Sequence, residues 1–129
     1  MIAARDSAEH YVWGAGCDGW VLRGGEDLSI IEERMPPGTR EERHLHHGAE
    51  QFFYVLSGTL TLEVAGAVHR LTARQGMAVG KGVAHQARNE GDAEVFFLVI
   101  SAPTSRGDRQ RVKEGPSGEE SSQHRFWGA

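Results

Sequence analysis

Five side chains of the kinds that bind metals or move protons lie close together in this sequence, and a sixth stands farther along. His44, His46 and His47 fall within four residues. Glu50 and Gln51 follow at the head of the apolar run Phe52-Phe53-Tyr54-Val55-Leu56, and His85 stands just after the glycine-rich stretch Gly80-Lys81-Gly82. On an extended chain alternate residues share a face, so His44 and His46 look the same way, while His47 points elsewhere or sits in a turn made by Gly48. Two imidazoles on one face of a strand form half of a site for a divalent metal ion. The plainer reading is a surface strand with histidines in water. Glu50 and Gln51 are neighbours on a strand, so only one of them can share the face of a site, and their spacing alone leaves open which.

Short strands must position these groups. "LSIIEERM" is β-rich and ends at Pro36-Pro37-Gly38, a strong turn signal. "TLTLEVAG" alternates Leu60, Leu62 and Val64 with Thr61, Glu63 and Ala65, which marks a strand with one apolar face. "YVWGAGCDGWVLRGG", "RHLH", "QFFYVLSG", "AVHRLTA", "GMAVGKG", "AHQARN" and "EVFFLVIS" read as further strands separated by glycine-rich turns. Eight or more short strands at near-regular spacing, with no helical period, predict an all-β sandwich or barrel. Phe53 and Val55 share the parity of Gln51 and are expected to face the interior. Glu32 and Arg34 alternate with Glu33 and Met35, and one of these pairs looks into the barrel mouth.

Composition narrows the function. The chain has 129 residues, which is one domain with a real core, and 17 glycines, in keeping with many tight turns. A net charge of −4 argues against a nucleic-acid binder, which would carry a basic stripe. Cys17 is the only cysteine, which excludes an internal disulfide and a cysteine metal cluster. No run reaches the length of a membrane span, and the start lacks the apolar core of a signal peptide, so a cytoplasmic protein is expected. From Pro103 the chain turns polar, charged and glycine-rich, and reads as a tail outside the barrel. Phe126 and Trp127 could anchor its end. Arg106-Gly107-Asp108 is expected to be a chance surface turn, and His10, His69 and His124 surface residues.

Two stretches together resemble the cupin superfamily. Its first motif is G-x5-H-x-H-x3,4-E-x6-G, and Gly38, His44 and His46 match the first half. The second is G-x5-P-x-G-x2-H-x3-N, and Gly82, His85 and Asn89 match at the right spacing, with Arg74 and Gly80 in place of its first glycine and its proline. The motifs lie 15 residues apart, and the resemblance covers roughly residues 28–102. Counting back six residues from the closing Gly58 lands on Gln51 where the family has an acid. The resemblance therefore favours Gln51 over Glu50 as the fourth ligand, and Asn89 as a structural residue closing a turn.

The resemblance implies a double-stranded β-helix, the cupin jelly roll, with an amino-terminal arm (1–27), a barrel (28–102) and a polar carboxy-terminal tail (103–129). It implies one divalent transition metal on His44, His46, Gln51 and His85, with Fe, Mn, Ni, Cu, Co and Zn not distinguished. Three neutral imidazoles and an amide oxygen leave such an ion its full double charge, which favours anionic ligands such as carboxylates and enolates. The expected function is a small-molecule metalloenzyme acting on an anionic or oxygenated substrate, as oxygenase, isomerase or lyase. The alternative is a non-catalytic, metal-dependent ligand-binding or sensing protein. A storage role fits a complete histidine set poorly. A homodimer is expected, because "EVFFLVIS" has no polar face to show to water, with Trp13 and Trp20 as candidate cover.

Overall fold

The computed structural model describes residues 2–113, and residues 119–124 as backbone. Phe126 and Trp127 lie outside the described residues. Twelve strands among the described residues form two antiparallel six-stranded sheets. The first runs β1 (Glu9–Trp13), β2 (Cys17–Gly24), β3 (Ser29–Met35), β10 (Val95–Ala102), β5 (Glu50–Ser57) and β8 (Gly76–Val79), in that spatial order. The second runs β12 (Glu119–His124), β11 (Arg109–Val112), β4 (His44–His46), β9 (His85–Arg88), β6 (Thr59–Val64) and β7 (Ala67–Thr72). Repeated crossing of the chain between the sheets makes this the expected all-β jelly roll.

Alternation decides what fills the space between the sheets. β3, β5 and β10 each bury every second residue, and Met35, Phe53, Val55, Val95, Phe97 and Val99 join Leu60 and Leu62 of β6 in one core. Phe53 and Phe97 are in ring contact, with centroids 6.3 Å apart. The same parity settles β3: Glu33 and Met35 are buried, whereas Glu32 and Arg34 lie on the outer side. There Arg34 donates to Asp18 (2.7 Å) and to Glu94 (2.7 Å).

Two turns show why the motif glycines matter. Gly58 has φ +83°, and a Cβ there would lie 2.3 Å from the Glu94 carbonyl oxygen, so no other residue fits without moving backbone. Arg74 occupies the place of the second motif's first glycine and still adopts φ +69°, the left-handed region that costs a side-chain-bearing residue roughly 1–2 kcal/mol. Its backbone N–H donates to the Val55 carbonyl at 2.8 Å, which holds the turn closed.

The sheets run across the expected boundaries at 27/28 and 102/103. β1 and β2 continue the first sheet beyond β3. β11, in the stretch expected to be a polar tail outside the barrel, pairs with β4 along Arg109↔His46, Gln110↔Leu45 and Arg111↔His44. No apolar alternation announces β11. It forms because β4 offers an open edge and the polar side chains find partners, such as Arg111 on Glu42 at 3.0 Å. Trp13 packs against the core, and its indole N–H donates to the Asp18 carbonyl. Trp20 lies outside, stacked on His10 and covered by the Arg5 guanidinium, which also covers Phe96.

A candidate metal centre inside the barrel

β4 presents His44 and His46 on its inward face, and His44 is the cross-strand partner of His85 on β9. All three rings are buried, and their ligand nitrogens lie within 4.8 Å of one another. His47 points away, as the alternation requires, and reaches Gln110 on the exposed side.

Each ring is held by its other nitrogen. His44 Nδ1 bonds the Glu42 carbonyl (2.8 Å) and His85 Nδ1 the Val83 carbonyl (3.0 Å). A carbonyl can only accept, so in both rings the proton sits on Nδ1 and Nε2 is left as a lone-pair donor toward an ion. Burial is the main reason both resist protonation. It holds His85 down to about 4, and it pushes His44 well below the ordinary imidazole range, helped by the Arg109 charge and the two neighbouring histidines. At neutral pH both therefore present the form a metal requires.

His46 Nδ1 bonds Asp108 Oδ1 at 2.6 Å, and the other carboxylate oxygen accepts the backbone N–H groups of Gly48 (3.0 Å) and Ala49 (3.1 Å). One carboxylate thus orients the ring and clamps the loop between β4 and β5. The Arg106-Gly107-Asp108 turn, expected to be incidental, supplies this group. Sixty-two residues separate it from His46, and only the pairing of β11 with β4 brings the two together.

The first sheet supplies Gln51. It is buried, whereas Glu50 is exposed, so the register is the one that favours the amide. Phe53, the next inward residue on β5, touches the His85 ring (centroids 5.6 Å apart), and Gln51 is one inward step along the strand from Phe53. Gln51 Nε2 donates to Ser101 Oγ at 3.0 Å, which commits the amide nitrogen and leaves Oε1 as its acceptor. Nε2 of His44, Nε2 of His85 and Oε1 of Gln51 are all buried with no hydrogen-bond partner. Bare buried polar atoms cost on the order of 1–3 kcal/mol each, and a cation among the clustered imidazoles would satisfy both histidine nitrogens. The donor set is thus chemically fit for a divalent metal.

Other polar groups share the interior. Glu41 is buried, accepts the Ala87 N–H (2.8 Å), and is pushed up to about 7 by burial, against the pull of Arg109. The Tyr11 hydroxyl donates to Glu33 (3.4 Å), and burial together with that carboxylate holds the proton on the phenol. Asn89 has the structural role its motif position implies, donating to the Met35 and Ala93 carbonyls and accepting from Gly91. Sequence reasoning passed over Ser29, Ser101, Glu41, Asp108 and Arg109. Parity could have found Ser101, the last inward residue of a strand whose other inward residues are Val95, Phe97 and Val99.

Comparison with known proteins agrees with this architecture. The Cupin domain family matches residues 31–101, more than half of the chain, and the protein belongs to that family. Protein SchB of Streptomyces halstedii is 39% identical over 70 residues, covering 52% of this chain and 51% of its own length. The polyketide synthase CurC of Streptomyces cyaneus is 39% identical over 72 residues, covering 54% of this chain and 47% of its own. The chain thus spans about half the length of the curated relatives it matches. Among solved structures, the polyketide cyclase RemF from Streptomyces resistomycificus superposes with a TM-score of 0.74 at 16% identity, covering 91% of this chain and 88% of RemF, a likeness of fold. Among the described residues, no helix is long and apolar enough to cross a membrane.

Proposed function

We propose that the protein is a metal-dependent enzyme acting on an anionic or oxygen-rich small molecule. It holds one divalent transition metal on His44, His46, His85 and the amide oxygen of Gln51. The observation that carries this reading is the convergence of three buried imidazoles, two of which present a partnerless Nε2. A bound ion supplies Lewis acidity and, if it is redox-active, electron-transfer chemistry. The chain's own groups do the rest. Backbone carbonyls and Asp108 fix the imidazole orientations, the barrel wall excludes water, and the uncharged ligand set leaves the centre attractive to carboxylates, enolates and phenolates.

The likeness to the polyketide synthase CurC supports a poly-carbonyl or phenolic substrate, because polyketide chemistry presents closely spaced oxygens that an electron-poor centre can polarise. The test is metal analysis of protein purified without chelator, followed by titration with enolate- and phenolate-forming compounds. One equivalent of metal per chain and a ligand-dependent change in its spectrum are expected. A protein that takes up none of the six candidate metals would overturn the reading.

A homodimer through the outer face of the first sheet belongs to the same proposal. Phe52 and Leu56 are exposed there, beside the half-buried Leu98 and Ile100. Sedimentation at micromolar concentration should give twice the chain mass, and a monomer would contradict it.

A further inference from the structure

Two inward hydroxyls in the row of Gln51, those of Ser29 and Ser101, add nothing to the apolar core and are not accounted for by the metal centre. Ser29 of β3 pairs with Ser101 of β10, which pairs with Gln51 of β5. All three are almost completely buried. Cross-strand partners on one face place their Cβ atoms about 4.5–5.5 Å apart, so the two hydroxyls and the amide form a continuous polar strip. Ser101 Oγ already accepts from Gln51 Nε2, so its own proton is available to donate. Ser29 Oγ is buried with no partner at all. The row continues to Gly24 on one side and Val79 on the other, and no charged side chain falls in it.

We propose that Ser29 and Ser101 form a hydroxyl subsite that takes an uncharged oxygen, a carbonyl or hydroxyl, of the same ligand whose anionic oxygen faces the histidines. The proposal rests on the metal-centre reading. Two neutral O–H donors suit a carbonyl or hydroxyl acceptor, whereas a second carboxylate would call for a cation in this row. The ligand is therefore a β-oxygenated anion: one charged oxygen toward Gln51 and the histidines, and a second, uncharged oxygen a few bonds away against the serines.

Cobalt-loaded full-length protein offers a direct test, with 3-hydroxybutyrate and butyrate as matched probes and the visible cobalt spectrum as readout. Wild type should bind the hydroxylated anion roughly tenfold more tightly, the scale of one or two added hydrogen bonds. Ser29→Ala and Ser101→Ala should each bring that preference below about threefold, while butyrate affinity in Ser29→Ala stays unchanged. A preference that survives in both variants, or its absence from wild type, would refute the subsite while leaving the metal centre standing. Failure of cobalt to bind wild type would instead remove the metal-centre reading, and the subsite with it. A second readout needs no metal. Removing a partnerless buried hydroxyl should raise the melting temperature of metal-free Ser29→Ala by a few degrees. A fall would assign Ser29 a structural role and overturn the proposal.

Discussion

Two neighbouring rows of the same wall have opposite characters. Ile31, Val99 and Phe53 lie side by side across β3, β10 and β5, and the next inward row on the same strands is Ser29, Ser101 and Gln51. The rows share backbone, face and burial, and are about 7 Å apart. The first is apolar and joins the core. The second buries polar atoms, two of which, Ser29 Oγ and Gln51 Oε1, have no partner. Stability alone would fill the second row like the first. A row that gives up this stabilisation in a barrel that also holds three converging imidazoles is what the proposed site would explain.

The contrast can be broken from the apolar side first. Phe53→Ala removes a fully buried ring in contact with Phe97 and His85, and should cost about 3–5 kcal/mol of unfolding free energy in denaturant titration. A loss below about 1 kcal/mol would mean that this row is not the structural one. On the site side, Asp108→Ala removes the group that orients His46, and should weaken metal affinity roughly 10- to 100-fold, measured by competition with a chelator. Unchanged affinity would show that the carboxylate only clamps the loop.

Away from both rows, Arg74→Gly relieves a left-handed backbone at an exposed turn and should add about 1 kcal/mol of stability without touching metal content. Destabilisation would mean that the Arg74 side chain contributes more than its backbone costs. The smallest effect belongs to Glu50→Ala, which should leave metal and stability as they are, because Glu50 faces solvent. Its neighbour gives the contrast: Gln51→Glu should hold metal more tightly and simple anions such as oxalate less tightly. If Glu50→Ala were the variant to lose metal, Gln51 would not be the fourth ligand.

Much of this was readable from local pattern. Alternation in "QFFYVLSG" and "EVFFLVIS" announced β5 and β10 and their inward residues, because a half-buried strand writes its own period into the chain. The motif spacing brought His44, His46 and His85 under suspicion, and counting back from Gly58 preferred Gln51. What local pattern could not show was pairing at long range. Asp108 and Arg109 lie in a polar stretch without periodicity, and reach the site only because β11 completes an open edge beside β4. Ser29 and Ser101 look like ordinary strand-end residues until the register sets them opposite each other.

The most direct test of the account is metal binding by the metal-free wild type and by His85→Ala, followed by calorimetric titration with cobalt or zinc. His85 joins the cluster from a different strand than His44 and His46, its Nε2 is one of the partnerless acceptors, and burial keeps it neutral down to about pH 4. The account predicts one equivalent per chain for wild type at pH 7, and at least a hundredfold weaker binding, about 2.7 kcal/mol, for His85→Ala. One equivalent bound with undiminished affinity by His85→Ala would contradict the metal centre described above.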